Sequence, residues 1–237
     1  MKLVFLHGFS GQPSNWDACL DTLTPLLSEQ AMDYVIFQTP ILDFVPLEQP
    51  HILIGYSMGA RIALQAACAD ATACKGLVFI GGNPGLESDV PARIDWEENW
   101  LQQLEAEVTN ASAETFINAW YEQPLFANSD PAILQALKQE KRAGDIAQWR
   151  EQFARFALSK QPNLWPKLGD LSIPVLALAG SRDSKYVEIM SRMATLLPRA
   201  EARFIPDCGH MVPREQPHAL AKAIANFLKS DRKCGVQ

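Results

Sequence analysis

The fold is decided by the segment His51-Ile52-Leu53-Ile54-Gly55-Tyr56-Ser57-Met58-Gly59-Ala60-Arg61. A short apolar run, which predicts a buried strand, leads into G-x-S-x-G and then into an alanine-rich helical pattern. In this order the serine lies on a strained strand-to-helix turn that exposes its hydroxyl, with a helix N-terminus behind it. The segment therefore predicts Ser57 as a nucleophile or base. The alternative is a glycine-rich turn with an idle serine.

Strand-like runs and helical patterns alternate on both sides of this segment. Such alternation predicts parallel βαβ units, and the continuous apolar strands indicate a sheet covered on both faces. The predicted fold class is therefore α/β. The predicted strands are Leu3–Leu6, Tyr34–Phe37, His51–Tyr56, Gly76–Ile80, Val175–Ala179 and Ala202–Ile205, and the helices are Trp16–Leu27, Met58–Ala69, Val187–Leu197 and Glu215–Leu228.

The alternation stops in the middle of the chain, where every pattern is helical. We interpret residues 87–166 as a helical cap inserted into one α/β core made of residues 1–86 and 167–237. Residues 41–50, with three prolines nearby, are expected to hold at most one helical turn. The predicted cap helices are Trp96–Leu104, Ala113–Tyr121, Pro131–Glu140 and Ile146–Leu158.

A serine needs a neighbouring base before it can act at neutral pH. Of four histidines, His210 lies in the loop after the last predicted strand, where open α/β sheets build their sites. Asp183, after the strand Val175–Ala179, is the preferred acid to orient the imidazole. Asp207 is the rival, although it precedes His210 by only three residues. The chain order Ser57, Asp183, His210 is that of the α/β-hydrolases.

Two backbone N–H groups are candidates for an oxyanion hole. In this fold one donor belongs to the residue after the serine, here Met58, and the other to a loop after an early strand. That loop is His7-Gly8-Phe9, so Phe9 is the second candidate. Taken alone, His-Gly fits an ordinary strand-ending turn equally well.

Composition restricts the partners. The chain has 237 residues, with 21 Lys and Arg against 27 Asp and Glu. The resulting acidic balance argues against nucleic acid. We expect no membrane partner and no export signal, since the apolar runs are short. Five cysteines without a C-x-x-C pair favour a cytoplasmic protein. Metal and dinucleotide motifs are absent from the sequence, so no metal or cofactor is expected. We expect a monomer or small homo-oligomer.

Five segments together resemble the MenH family, the 2-succinyl-6-hydroxy-2,4-cyclohexadiene-1-carboxylate synthases of menaquinone biosynthesis. G-x-S-x-G alone is shared by the whole superfamily. An arginine four residues after the serine, W-Y-x-Q-P-x-F in the cap and R-D-S-K after a late strand are more specific. The similarity covers nearly the whole chain. The segments are residues 3–11, 55–61, 81–86, 120–126 and 180–186.

The resemblance implies an α/β-hydrolase fold and a carbon–oxygen lyase that eliminates pyruvate from a small anionic substrate, with the triad acting as a base. It also implies a set of substrate-binding residues. For the arginines the alternative is a solvated helix face, Trp120 and Phe126 could equally be cap core, and Lys141 adjoins the uncertain match at Arg142. The implied set is Tyr56, Arg61, Arg93, Trp120, Tyr121, Phe126, Arg142 and Lys185.

The sequence departs from the family pattern in two places. It begins at the strand that carries His-Gly, so we expect a sheet of about six or seven strands without the usual leading β-hairpin. Gln38-Thr39-Pro40-Ile41 replaces a D-x-P-G-x-G turn that borders the site. Two other functions compete with the lyase: a carboxylesterase or thioesterase with the same triad, and a binding protein without catalysis.

Overall fold

Six parallel strands form one sheet in the order β2-β1-β3-β4-β5-β6. The computed structural model describes residues 1–29 and 34–234, without the side chains of residues 29 and 231–234. This architecture confirms the predicted α/β-hydrolase fold. The strands are β1 (Lys2–Leu6), β2 (Val35–Thr39), β3 (His51–Tyr56), β4 (Cys74–Ile80), β5 (Val175–Gly180) and β6 (Ala200–Ile205).

The carboxyl ends of the central strands finish level with one another. Leu6 of β1 pairs with Gly55 of β3, and Ile80 of β4 pairs with Tyr56 of β3 and Leu178 of β5. Because all these strands run in the same direction, the loops that follow them leave the sheet at one edge.

Helices cover both faces of the sheet. Successive strand residues point to opposite sides, and in the central strands both sets of side chains are mostly apolar and must be buried. Leu3 and Phe5 pack into the core on one face, below α1 and α9, while Val4 and Leu6 pack on the other, below α2 and α7. The helices of this core are α1 (Asp17–Glu29), α2 (Met58–Ala69), α7 (Ser184–Leu196), α8 (Val212–Glu215) and α9 (Pro217–Cys234).

Between β4 and β5 the chain is helical, and its helices share an aromatic core. Trp120 lies 5.0 Å from Trp100 and 5.5 Å from Phe116 between ring centroids. Phe9, from the loop after β1, enters this cluster with its ring 4.7 Å from Trp120. The cap therefore packs directly on that loop of the core. Its helices are α3 (Val90–Asn110), α4 (Glu114–Tyr121), α5 (Pro131–Lys141) and α6 (Ile146–Arg155).

The segment between β2 and β3 contains turns and bends without a helix. It leaves Val45 70% exposed and the edge strand β2 only partly covered. None of the helices in the described residues combines the length and apolar character that a membrane span requires. Among the described side chains, the cysteines are free thiols.

Candidate active site

Ser57 occupies a tight turn between β3 and α2. Its backbone φ is +53°, a left-handed conformation that non-glycine residues seldom adopt outside special sites. The turn closes tightly because a Cβ on Gly55 would lie 2.5 Å from the Cα of Ala60, and one on Gly59 would overlap the carbonyl oxygen of Leu6. Only glycine fits at both positions, so the G-x-S-x-G pattern follows from the packing of the turn.

The structure brings Ser57, His210 and Asp183 together from three different loops. His210 Nδ1 lies 2.7 Å from Asp183 Oδ2, and Nε2 lies 3.3 Å from Ser57 Oγ. The Asp183 carboxylate accepts a hydrogen bond from Nδ1–H, which leaves the lone pair of Nε2 free to accept a hydrogen bond, and then the proton, from the Ser57 hydroxyl. His210 is only 2% exposed, so little solvent competes for these hydrogen bonds. The arrangement can move a proton from Ser57 onto the imidazole.

Asp207, the rival for the acidic position, points elsewhere. Its carboxylate is 80% exposed and pairs with Arg182 at 2.8 Å. The residue itself has a left-handed φ of +51°. The geometry therefore joins Asp183, and not Asp207, to the imidazole of His210.

Phe9 and Met58 both lie beside Ser57 along one cavity. Met58 is the first residue of α2, so its N–H has no partner within the helix. Within the described residues neither N–H has an intramolecular hydrogen-bond acceptor. Two N–H groups of this kind can donate hydrogen bonds to an oxygen that gains negative charge next to Ser57.

Two cavities adjoin at Ser57 and share Phe9, Trp120 and Leu125 in their walls. The larger has a volume of about 290 Å³ and is lined by three cationic side chains, those of Arg61, Arg93 and Lys185. The smaller has a volume of about 80 Å³. The smaller cavity is lined by Tyr56, Tyr121, Phe126, Lys141 and His210, among others.

Arg61 is a buried cation at the floor of the larger cavity. It lies one helical turn beyond Ser57 and donates to the Phe156 carbonyl at 2.7 Å and to Gln161 Oε1 at 3.1 Å. No carboxylate of the described residues lies within ion-pair distance of it. Burial, and then the nearby charge of Arg93, lower its pKa from 12.5 to about 10, so it remains protonated at neutral pH. The site thus holds a desolvated positive charge.

Arg93 and Lys185 contribute further positive charge to the same cavity. Arg93 Nε pairs with Glu97 at 2.7 Å, and its guanidinium lies 4.1 Å from the centre of the Trp96 ring. Glu97 also accepts hydrogen bonds from the backbone N–H groups of residues 158 and 159, which fixes its position. Lys185 is exposed at the rim.

Aromatic side chains surround the histidine. The rings of Tyr56 and Phe126 lie 5.6 and 6.3 Å from that of His210, and Tyr121 lies 4.9 Å from Phe126. Burial raises the pKa of Tyr121 to about 12 and that of Tyr56 well above its ordinary value. Both hydroxyls are therefore neutral donors at physiological pH. Trp120 lines both cavities, in addition to its place in the cap core.

Arg142 is the one predicted substrate-binding residue that the structure leaves outside the site. Its side chain is 51% exposed and pairs with Glu114 on the cap surface. Lys141 instead is buried and lines the smaller cavity. Successive helical residues differ by about 100° in direction, so α5 can turn only one of these neighbours inward. Lys141 follows buried Leu137 by four residues, a spacing that could have identified it.

Sequence reasoning also missed Tyr186, whose ring lies 4.7 Å from that of His210. It missed Glu97 and Gln161, which hold Arg93 and Arg61 through contacts between distant parts of the chain. Among the described side chains, no group of three or more His, Cys, Asp or Glu is placed to hold a metal ion.

The model of the alpha/beta hydrolase family matches residues 3–223. The protein belongs to this family. It is 27% identical to a 2-succinyl-6-hydroxy-2,4-cyclohexadiene-1-carboxylate synthase of Enterobacter sp. (strain 638), over 96% of this chain and 91% of that protein. It is 29% identical to the protein of the same name in Escherichia coli (strain K12), over 96% and 93% of the two chains. The expected similarity to the MenH family is thereby confirmed.

Solved structures show the same fold. MenH from S. aureus superposes with a TM-score of 0.81 at 23% identity, over 98% of this chain and 94% of that chain. A thermophilic esterase from Thermogutta terrifontis, in a malate-bound structure, gives 0.73 at 19% identity, over 98% and 90%. Because both identities are low, these matches establish the fold alone.

Proposed function

We propose that this protein is a lyase that eliminates pyruvate from 2-succinyl-5-enolpyruvyl-6-hydroxy-3-cyclohexene-1-carboxylate to give 2-succinyl-6-hydroxy-2,4-cyclohexadiene-1-carboxylate. The observation that carries the proposal is Arg61, a buried cation without a carboxylate partner, in the cavity that opens onto Ser57. A neutral substrate cannot form an ion pair with a desolvated guanidinium. A carboxylate can, through two parallel hydrogen bonds. The names of the relatives reported above state the same product.

The reaction is a proton abstraction followed by loss of a leaving group. The proton on ring carbon C2 is acidic because C2 bears the succinyl ketone. Its removal forms C2=C3, the C3=C4 double bond shifts to C4=C5, and the C5–O bond breaks. Pyruvate leaves as its enolate, which takes up one proton at its methylene carbon, so the proton lost from C2 is replaced and the diene and pyruvate form in equal amounts.

Ser57, His210 and Asp183 supply the base. Ser57 Oγ takes the C2 proton while its own proton passes to His210 Nε2, 3.3 Å away. The Asp183 carboxylate, 2.7 Å from Nδ1, stabilises the imidazolium that results. In this role the serine forms no covalent bond with the substrate.

The backbone N–H groups of Phe9 and Met58 stabilise the negative charge that forms when the C2 proton is removed. As the proton departs, negative charge moves onto the ketone oxygen of the succinyl group. Their backbone N–H groups, which have no acceptor in the described residues, would bind this oxygen. An interaction that strengthens as charge develops accelerates the chemical step, and does more than bind the substrate.

The remaining predicted residues would bind and shield the substrate. Arg61, Arg93 and Lys185 pair with its carboxylates in the larger cavity. Four aromatic side chains exclude water from the site: all four line the smaller cavity, and one of them, Trp120, also lines the larger cavity that holds these ion pairs. They are Tyr56, Trp120, Tyr121 and Phe126.

A carboxylesterase or thioesterase is the second candidate, because the geometry of Ser57 and His210 also suits attack on an ester carbonyl. The two functions separate in one experiment. Purified protein receives the enolpyruvyl substrate in one assay and p-nitrophenyl acetate in another. We expect pyruvate release with a kcat/KM far above the value for the ester. Efficient ester turnover without pyruvate would refute the lyase.

A further inference from the structure

The loop that carries Phe9 is held in an unfavourable conformation. Gly11 N–H donates to the Gly8 carbonyl at 3.1 Å and closes a turn with Phe9 and Ser10 at its centre. Ser10 has a φ of +55°, in the left-handed region where glycine is the usual residue. Surrounding contacts must therefore hold this turn in place.

The side chains that bind the Ser10 backbone come from two helices of the cap, and the Ser10 side chain forms a hydrogen bond with Tyr121 of α4. Ser10 N–H donates to Gln152 Oε1 of α6 at 3.0 Å, and the Ser10 carbonyl accepts from Lys141 Nζ of α5 at 2.5 Å. Ser10, Gln152 and Lys141 are all buried. Lys141 Nζ also lies 4.0 Å from Glu140 Oε1. Both backbone polar groups of Ser10 are thus bound by cap side chains.

The side chain of Phe9 is bound by the cap as well. Its ring lies 6.1 Å from Phe116, 4.7 Å from Trp120 and 5.3 Å from Phe153. If these contacts were lost, the strained turn would shift together with Phe9 and Ser10, and the Gly8–Phe9 peptide, which carries the Phe9 N–H, would shift with it. The direction of that N–H depends on contacts made by the cap.

We propose that Gln152 and Lys141 are positioning residues that hold the turn at Ser10 and so direct the Phe9 N–H toward the developing oxyanion. The oxyanion hole is then complete only when the cap is seated on the loop after β1. The proposal rests on the proposed function for the role of Phe9. Neither side chain needs to touch the reacting atoms.

Gln152→Leu removes the acceptor for Ser10 N–H at similar volume. A displaced donor can lower turnover about 10- to 100-fold. We expect that loss in kcat, with KM changed less than about twofold, for both pyruvate release and p-nitrophenyl acetate hydrolysis. Gln152→Glu retains an acceptor and should restore kcat to within about fivefold of wild type. Gln103→Leu, on the exposed face of α3, is the matched control and should leave kcat unchanged.

Adding Ser10→Gly tests whether Gln152 acts by holding the turn. If Gln152 only stabilised the fold, Ser10→Gly would not restore kcat. Glycine adopts positive φ without strain, so the turn then depends less on the cap. Adding Ser10→Gly to Gln152→Leu should recover at least about threefold in kcat. A double variant no faster than Gln152→Leu alone would overturn the proposal, provided that circular dichroism shows all variants folded.

Lys141→Met separates positioning from substrate binding. As a positioning residue Lys141 affects kcat in both assays, and Lys141→Arg, which retains a donor, restores part of the activity. If Lys141 instead binds a substrate carboxylate, Lys141→Met raises KM for pyruvate release and leaves ester hydrolysis unchanged, which would overturn its assignment. Ester turnover without pyruvate would refute the proposed function, while the ester readout would still test Gln152. Absence of both activities in the wild type would overturn both proposals.

Discussion

Replacing Arg61 by methionine tests the anionic site at its most buried cation. Methionine keeps much of the length of the side chain and removes its charge. The guanidinium donates to the Phe156 carbonyl and to Gln161 Oε1, and no carboxylate of the described residues lies within ion-pair distance of it, the charge of Glu97 acting on it from farther away. If it pairs with a substrate carboxylate, its loss leaves that carboxylate buried and unpaired. Truncating such a pair costs about 2–5 kcal/mol, or a factor of about 30 to 5,000 in kcat/KM.

The same variant has a second, opposite consequence for stability. Lowering the pKa of Arg61 from 12.5 to about 10 corresponds to about 3 kcal/mol of disfavoured charge in the folded protein at neutral pH. Arg61→Met removes this penalty, but it leaves two buried acceptors unsatisfied, at about 1–3 kcal/mol each. The free energy of unfolding should therefore change by no more than about 3 kcal/mol, and urea unfolding of the variant separates a loss of activity from a loss of folded protein.

Pyruvate release can be followed through lactate dehydrogenase and the oxidation of NADH. Arg142→Met is the matched control, because Arg142 pairs with Glu114 at the cap surface, and its kcat/KM should stay within about twofold of wild type. Arg61→Met should retain the wild-type rate with p-nitrophenyl acetate, which has no carboxylate. A folded Arg61→Met variant with less than a tenfold loss in pyruvate release would refute the anionic site.

Three further predictions concern the turn at Ser57 and the loop after β1. Ser57→Ala should lower pyruvate release by at least about 10³-fold, measured by the same assay, without a change in Tm; retained activity would remove Ser57 as the base. Gly59→Ala drives a methyl group into the Leu6 carbonyl and should destabilise the fold by about 1–3 kcal/mol in urea unfolding, against less than about 0.5 kcal/mol for the exposed Gln103→Leu. Burial lowers the pKa of His7 from 6.5 to about 4, so the stability it contributes is full above pH 6.5 and falls by about 3 kcal/mol toward pH 4. His7→Asn should flatten the pH dependence of unfolding in that window, and an unchanged slope would contradict the buried neutral imidazole.

The core of the fold could be predicted because its signals are local. Short, mostly apolar runs marked each of the six strands to within about two residues, as with β4, which begins at Cys74 and not at Gly76. The ends of helices were less predictable. The terminal helix was expected to run from about Glu215, but the chain forms a short α8 and restarts at Pro217, which has no N–H to continue a helix.

The first cap helix shows why periodicity underestimates length. The apolar pattern begins at Trp96, whereas α3 begins at Val90. Pro91 is favourable in the first turn of a helix, and Ile94 is exposed, so the first turns contribute no buried stripe to the pattern. Apolar periodicity detects only those turns of a helix that bury one face. Turns that are exposed on all sides give no such pattern and are not predicted.

The candidate site divides in the same way. Ser57, Asp183 and His210 were identified because each follows a strand whose carboxyl end must meet the others at one edge. The sequence left open whether Arg142 or Lys141 faces the site, because a shift of one residue rotates a helical side chain by about 100°. The hydrogen bond from Ser10 to Gln152 joins residues 142 positions apart and depends on how the cap is seated, which no local pattern encodes.

The central claim is that this triad performs an elimination, and the most direct test is the stoichiometry of products. Purified protein and the Ser57→Ala variant are each mixed with the enolpyruvyl substrate, and proton NMR follows the ring and the released acid. The wild type should convert the substrate into equal amounts of diene and pyruvate, and the variant should leave it intact. Unchanged substrate with wild-type protein, or a product formed without pyruvate, would contradict the account.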